Sequence, residues 1–116
     1  MNWHEVIDER SYELHQVIAR ELRREPAKLQ AVADWIERWL ADPEYSEHSK
    51  DALSEWLALI RGRGLEGVLE RLADRSEDAV RMRSSSPFAV VMPQDERARI
   101  FKHYEALRAR AHPAGV

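Results

Sequence analysis

The hexapeptide GRGLEG at residues 62–67 fits the pattern G-x-G-x-x-G and holds three of the chain's four glycines. In a dinucleotide-binding turn such glycines let the backbone close on a pyrophosphate seated at a helix N-terminus. That chemistry needs a strand before the first glycine and a ribose-binding acid about 20 residues further on. Here the preceding LSEWLALIR has helical period, and the next acids, Glu77 and Asp78, follow Gly67 by only ten and eleven residues. The expected role is structural: Gly62 and Gly64 end one helix and turn into the next, and Gly67 permits a close approach. A second set, His4, Asp8, Ser11 and His15, lies along one side of a helix and offers two imidazoles and a carboxylate to a metal. The two histidines are eleven residues apart, roughly 16 Å along a helix axis. One ion cannot bridge that distance, so a polar seam is expected and no metal site. H-E-x-x-H, G-K-[ST] and a serine elbow are all missing from the chain. No cofactor is expected.

Arg10 with His15 and Arg97 with His103 form R-x4-H and R-x5-H, spacings that resemble the active-site motif of the HEPN ribonucleases, themselves small all-α proteins. A chain with 15 arginines and 5 histidines gives roughly two such matches by chance, and two are found. Ser11 and Ala98 stand where that family usually places an asparagine or aspartate. A ribonuclease is therefore carried only as an alternative, and no catalytic residue is assigned.

The bulk properties narrow the classes. The length of 116 residues suits one domain, 1–116, and is too small for a complete doubly wound dinucleotide fold with a substrate domain. Charged residues make up 34%, but 44% are hydrophobic, with four tryptophans, so burial can offset chain entropy. With no cysteine there is no disulfide framework or thiolate site, which fits an intracellular chain. The acidic MNWHEVIDER is no signal peptide, and no apolar run approaches the roughly 20 residues of a membrane span. A cytoplasmic protein with no membrane association is expected. Residues 1–60 carry 7 Lys+Arg against 13 Asp+Glu, net −6, whereas residues 61–116 carry 11 against 8, net +3. The overall pI near 6.0 and the acids Asp95, Glu96 and Glu105 within the most basic helix weigh against a nucleic-acid-binding regulator, the other alternative.

The elements that position these residues read as helices throughout. Trp3, Val6, Ile7, Leu14, Val17 and Ile18 form one stripe of a first helix, Trp3 to Arg24. Pro26 suits the first turn of a second, whose Leu29, Val32, Ala33, Ile36, Trp39 and Leu40 face inward and which stops before Pro43. After a polar connection, DPEYSEHS, Leu53, Trp56, Leu57 and Ile60 mark a third helix ending at Gly62; Leu65, Val68, Leu69 and Leu72 mark a fourth. Ser76 caps a short fifth, SEDAVRMR. AVVM is too short and solitary for a sheet. Beyond Pro93 a last helix turns Ile100, Phe101, Tyr104, Leu107 and Ala111 inward. The fold class is all-α, a single-domain bundle of about five to six helices.

Two long runs, ERSYELHQVIARELRREPAKLQAVADWIERWL and RLADRSEDAVRMRSSSPFAVVMPQDERARIF, resemble small bacterial proteins encoded beside toxin genes and taken as antitoxin components. The distinctive stretch is RMRSSSPFA with the ER of the last helix, and AVVMPQDER departs from the usual loop. The resemblance implies a non-enzymatic protein that silences a co-expressed toxin by direct contact, and a homo-oligomer is compatible with it. The expected contact surface is the segment 81–99, an exposed loop flanked by arginines. In it Arg81, Arg83, Arg97 and Arg99 supply charge, Ser84, Ser85 and Ser86 supply hydroxyls, and Phe88 is the apolar anchor. Trp35, at the edge of the second helix's apolar stripe beside Arg38, is a further candidate contact.

Overall fold

The computed structural model describes residues 2–111, and among them every regular element is helical. The elements are α1 (Trp3–Arg24), α2 (Lys28–Leu40), α3 (Glu47–Ala73), α4 (Glu77–Ser84), a 3-10 turn (Phe88–Val91) and α5 (Gln94–Ala111). The expected all-α bundle is what forms. Asn2 caps α1, its Oδ1 accepting from the His4 amide at 2.9 Å. Ser76 caps α4 as its sequence announced, accepting from the Ala79 amide at 3.2 Å.

Three boundaries differ from expectation. Pro26 and Ala27 form a turn ahead of α2 rather than its first turn. The last three residues of the connection DPEYSEHS are helical, because Ser46 caps α3 by accepting from the Ser49 amide at 3.1 Å, which places Glu47 in the first turn. The expected third and fourth helices run on as α3, interrupted at Gly64 alone, where φ is +61° and ψ −153°. Gly62 keeps a negative φ. The break has a purpose, since the apolar row shifts by roughly 100° around the helix in passing it. Leu53, Trp56, Leu57 and Ile60 are buried before Gly64, and Val68 and Leu72 after it. Gly67 is the point of close approach, but the crowding group is the Arg63 side chain: a Cβ on Gly67 would stand 2.2 Å from Arg63 Cβ.

Helix α1 is the centre of the bundle and packs on α3, α4, α5 and the 3-10 turn, while α2 packs on α3 and that turn. The core joins Leu22, Val32, Ile36, Trp56, Val68, Leu72, Phe88 and Ile100, all essentially without solvent exposure. Tyr104 is buried as expected, Phe101 and Leu107 are half-buried, and the Ala111 side chain lies outside the described residues. No described helix is long and apolar enough to cross a membrane.

The C-terminus of α3 is tied down by side chains from elsewhere. Its last carbonyls have no intrahelical partner. Gln16 Nε2 donates to Leu72 O at 2.7 Å, Tyr12 OH to Ala73 O at 3.4 Å, and the Arg83 guanidinium to Arg71 O at 3.2 Å and to Asp74 O. A cation at a helix C-terminus is also favoured by the helix dipole.

The glycines separate in a mutational test. Gly64→Ala should lower stability by about 1–3 kcal/mol, since only glycine adopts that backbone conformation without strain. Gly62→Ala, which meets open space, should leave stability unchanged or raise it by up to about 1 kcal/mol in thermal or urea unfolding.

Candidate protein-interaction site

The arginines of segment 81–99 are engaged within the molecule. Arg81 donates to both Glu55 oxygens at 2.7 and 2.9 Å and to Asp78 at 2.7 Å, which raises its pKa above the ordinary arginine value. Arg99 pairs with Glu96 at 2.7 Å. The Arg97 guanidinium lies 4.5 Å from the Phe101 ring centroid, and Arg10 lies over the same ring at 4.5 Å, so the two arginines of the HEPN-like spacings meet on one aromatic side chain. Ser84 Oγ donates to Arg81 O at 2.6 Å, and Ser86 Oγ accepts from the Phe88 amide at 3.2 Å. Ser85 is exposed.

Two residues expected on the surface are internal. Arg83 is 5% exposed; its guanidinium also lies 5.3 Å from the Tyr12 ring, and burial lowers its pKa. Phe88 is fully buried, packed edge-on against Trp56 with centroids 5.1 Å apart, and it plugs the bundle end rather than standing out as an anchor. The burying partners come from α1 and α3, distant in sequence, so the loop composition carried no sign of them.

His15 is likewise shut away, 5% exposed, whereas His4 is exposed and the two do not converge. His15 Nδ1 sits 2.6 Å from Ser11 O, and a carbonyl only accepts, so the proton is on Nδ1. Nε2 is then an unprotonated acceptor, buried without a partner. Burial holds the imidazole pKa down to about 4, with the Arg83 charge adding to that effect and the Ser11 contact opposing it.

The exposed large apolar side chains among the described residues, Trp39 and Val90, lie on α2 and the 3-10 turn. Trp35, Trp39 and Tyr45 form a chain of rings, with centroids 5.7 and 4.9 Å apart. The expectation for the two tryptophans is reversed in degree. Trp35 is half-buried against the core, and Trp39, assigned to the apolar stripe, is 37% exposed. Val90 is 52% exposed, the consequence of a 3-10 turn that buries Phe88 and Val91 and turns Val90 outward. Between Trp35 and Val90 runs an open groove of about 570 Å³, edged by Glu21, Arg24, Lys28 and Arg38. Glu21 is a residue that sequence reasoning missed. Its carboxylate accepts from Arg24 and, at 2.7 Å, from Lys28, contacts that hold its pKa down to about 2. The spacing 21, 24, 28 is helical, but α1 ends at Arg24 and Lys28 opens α2, so only the corner between the helices brings the three together.

Comparison of the chain with family models, curated proteins and solved structures finds no match.

Two outcomes check this geometry. Phe88→Ala should destabilise by about 3–5 kcal/mol through the cavity it leaves. Arg83→Ala should cost about 2–3 kcal/mol by orphaning two carbonyls, whereas Arg97→Ala on the surface should stay within about 1 kcal/mol of the parent. Chemical denaturation of the three variants would show this ordering. For His15 the folded pKa of about 4 lies below the usual 6.5, so the unfolded chain binds the extra proton. Its contribution therefore erodes stability as pH falls from about 6.5 to 4, by at most about 3 kcal/mol. His15→Leu should flatten that part of the stability profile, leaving the acid loss of the Glu21 cluster, which sets in below its ordinary carboxylate pKa.

Proposed function

We propose that the chain is a non-enzymatic, antitoxin-like protein that binds and silences a co-expressed enzyme, and that the α2 groove is its contact surface. The observation that carries this reading is the exposed apolar pair Trp39 and Val90 flanking the half-buried Trp35 and the exposed Arg38. Tryptophan with arginine is the composition enriched in interface hot spots. Of the three cations at the groove, Arg24 and Lys28 are held by Glu21 and Glu25, and Arg38 is the one without an ion pair among the described residues. The complementary partner segment presents an apolar row with acidic residues beside it, so that desolvation of the tryptophans supplies affinity and the rim sets orientation.

The resemblance of the two long runs to antitoxin components supports the biological setting. The arginines of 81–99, held in internal pairs, are a poorer surface, because a partner would have to break those contacts before making its own.

Co-expression with the protein encoded by the neighbouring gene tests the proposal. A complex should co-purify; Val90→Asp should weaken it with little change in melting temperature, since Val90 is 52% exposed, and Trp39→Ser combined with Val90→Asp should abolish it, with a lower melting temperature from the lost ring contacts to Trp35 and Tyr45. Arg81→Ala should leave the complex intact. A complex that survives the Trp39 and Val90 changes would show the site to be elsewhere. A neighbour that never associates would remove the antitoxin reading.

A further inference from the structure

The outward face of α2 carries a second pattern, which shares Ala31 and Arg38 with the edge of the groove. Ala31, Asp34, Arg38 and Ala41 are all exposed, at successive spacings of three, four and three residues. That is the a/d rhythm of a two-helix seam, on the side of α2 opposite its core residues Val32, Ala33 and Ile36. The row edges a shallow groove that also includes Glu37. Glu37 is committed to Arg61, but no ion pair or side-chain hydrogen bond among the described residues involves Arg38, and Asp34 is engaged only by the neutral Gln30 at 2.9 Å. A cation and an anion thus stand unneutralised in the middle of an exposed helical row with an alanine at each end.

The order of these four residues is self-complementary. Turned end for end about the level of Ile36, the row superposes Ala31 on Ala41 and Asp34 on Arg38. We propose that this row is the face through which two copies of the chain pair, α2 against antiparallel α2 about a twofold axis. In that arrangement each Asp34 faces the second copy's Arg38, and each Ala31 faces the second copy's Ala41. The alanines let the helix axes approach at the short end of the usual 8–10 Å. A twofold contact requires each patch to complement itself, which this row does and which a foreign partner would not demand. A parallel pairing is disfavoured because it sets Asp34 on Asp34 and Arg38 on Arg38. Trp35 and Asp42 border the seam, so apolar area is buried beside the charge pairs. The contact is short, about 15 Å from Ala31 to Ala41 along the axis, and belongs with the small, reversible interfaces.

Light scattering or sedimentation of the full chain over a range of concentrations tests the pairing. The parent protein should move from 13.5 kDa toward twice that mass as concentration rises. Asp34→Arg and Arg38→Asp should each remain single chains, because each sets like charges face to face, and the double variant D34R/R38D should recover the dimer. All these positions are exposed, and circular dichroism would confirm that the helical content is kept. A charge-independent check uses the absence of native cysteine. Mixed A31C and A41C proteins should form a disulfide between copies on oxidation, and neither alone should do so. A parent protein that stays at the single-chain mass throughout, a dimer unaffected by either charge reversal, or a double variant that stays single would each overturn the proposal. Trp39 and Val90 lie outside the seam and Asp34 lies outside the groove, so the Trp39 and Val90 changes read the heterologous partner and Asp34→Arg reads the dimer, Arg38 being common to both faces.

Discussion

The tied C-terminus of α3 is the contact on which the rest of the molecule depends. Four consecutive carbonyls, at residues 71–74, would be left without hydrogen-bond donors from the protein, at a helix end where Leu72 is buried and Ala73 and Asp74 reach the surface. They are satisfied by Gln16 and Tyr12 from α1 and by Arg83 from α4. A buried carbonyl without a donor costs about 1–3 kcal/mol, so the three side chains fix where α1 and α4 must cross the end of α3. With α4 held there, Trp56 Nε1 donates to Met82 O at 2.9 Å and Phe88 closes edge-on against the indole. The 3-10 turn follows from that closure, and so does the outward position of Val90.

The same network decides how the charges are spent. Most of the arginines are held by carboxylates, aromatic faces or backbone carbonyls of the same molecule, as with Arg75, which pairs with Glu9 at 2.9 Å and stacks over Tyr12 at 3.7 Å. Exposed pairs of this kind each contribute about 0–1 kcal/mol, so they add little stability. Their larger effect is to quiet the basic half of the chain. What the surface then offers is the outer side of α2, with the aromatic chain and groove on one flank, Asp34 on the other, and Arg38, unpaired among the described residues, between them.

Buried ionisable groups mark where the fold is sensitive. His15 is kept neutral by burial, Arg83 is kept charged within a cage of carbonyls and a phenol ring, and Glu21 is kept ionised by two cations. Each is tolerated because its neighbours suit the charge state it holds, and the histidine and the glutamate both lose that match as pH falls.

Helical period, the Ser76 cap and the absence of any long β-branched run were local facts, and they determined by themselves that the chain would be an all-α bundle with breaks near Gly64 and after Ser84. These features act within one or two turns, a range that a single sequence displays directly. The solvent exposure of Trp39, the burial of Arg83, Phe88 and His15, and the pairing of Arg81 with Glu55 were decided by tertiary structure alone. Each depends on a neighbour 26 or more residues away, or on which flank of a helix is left uncovered, and a helical stripe gives the direction of a side chain without saying what stands opposite it. The loop RMRSSSPFA looked exposed because its composition is that of a loop. Packing buried Met82, Arg83, Pro87 and Phe88 within it and left Arg81, Ser84, Ser85 and Ala89 exposed, since a fully enclosed aromatic ring and the two carbonyls that Arg83 satisfies outweigh the preference of these residue types for the surface.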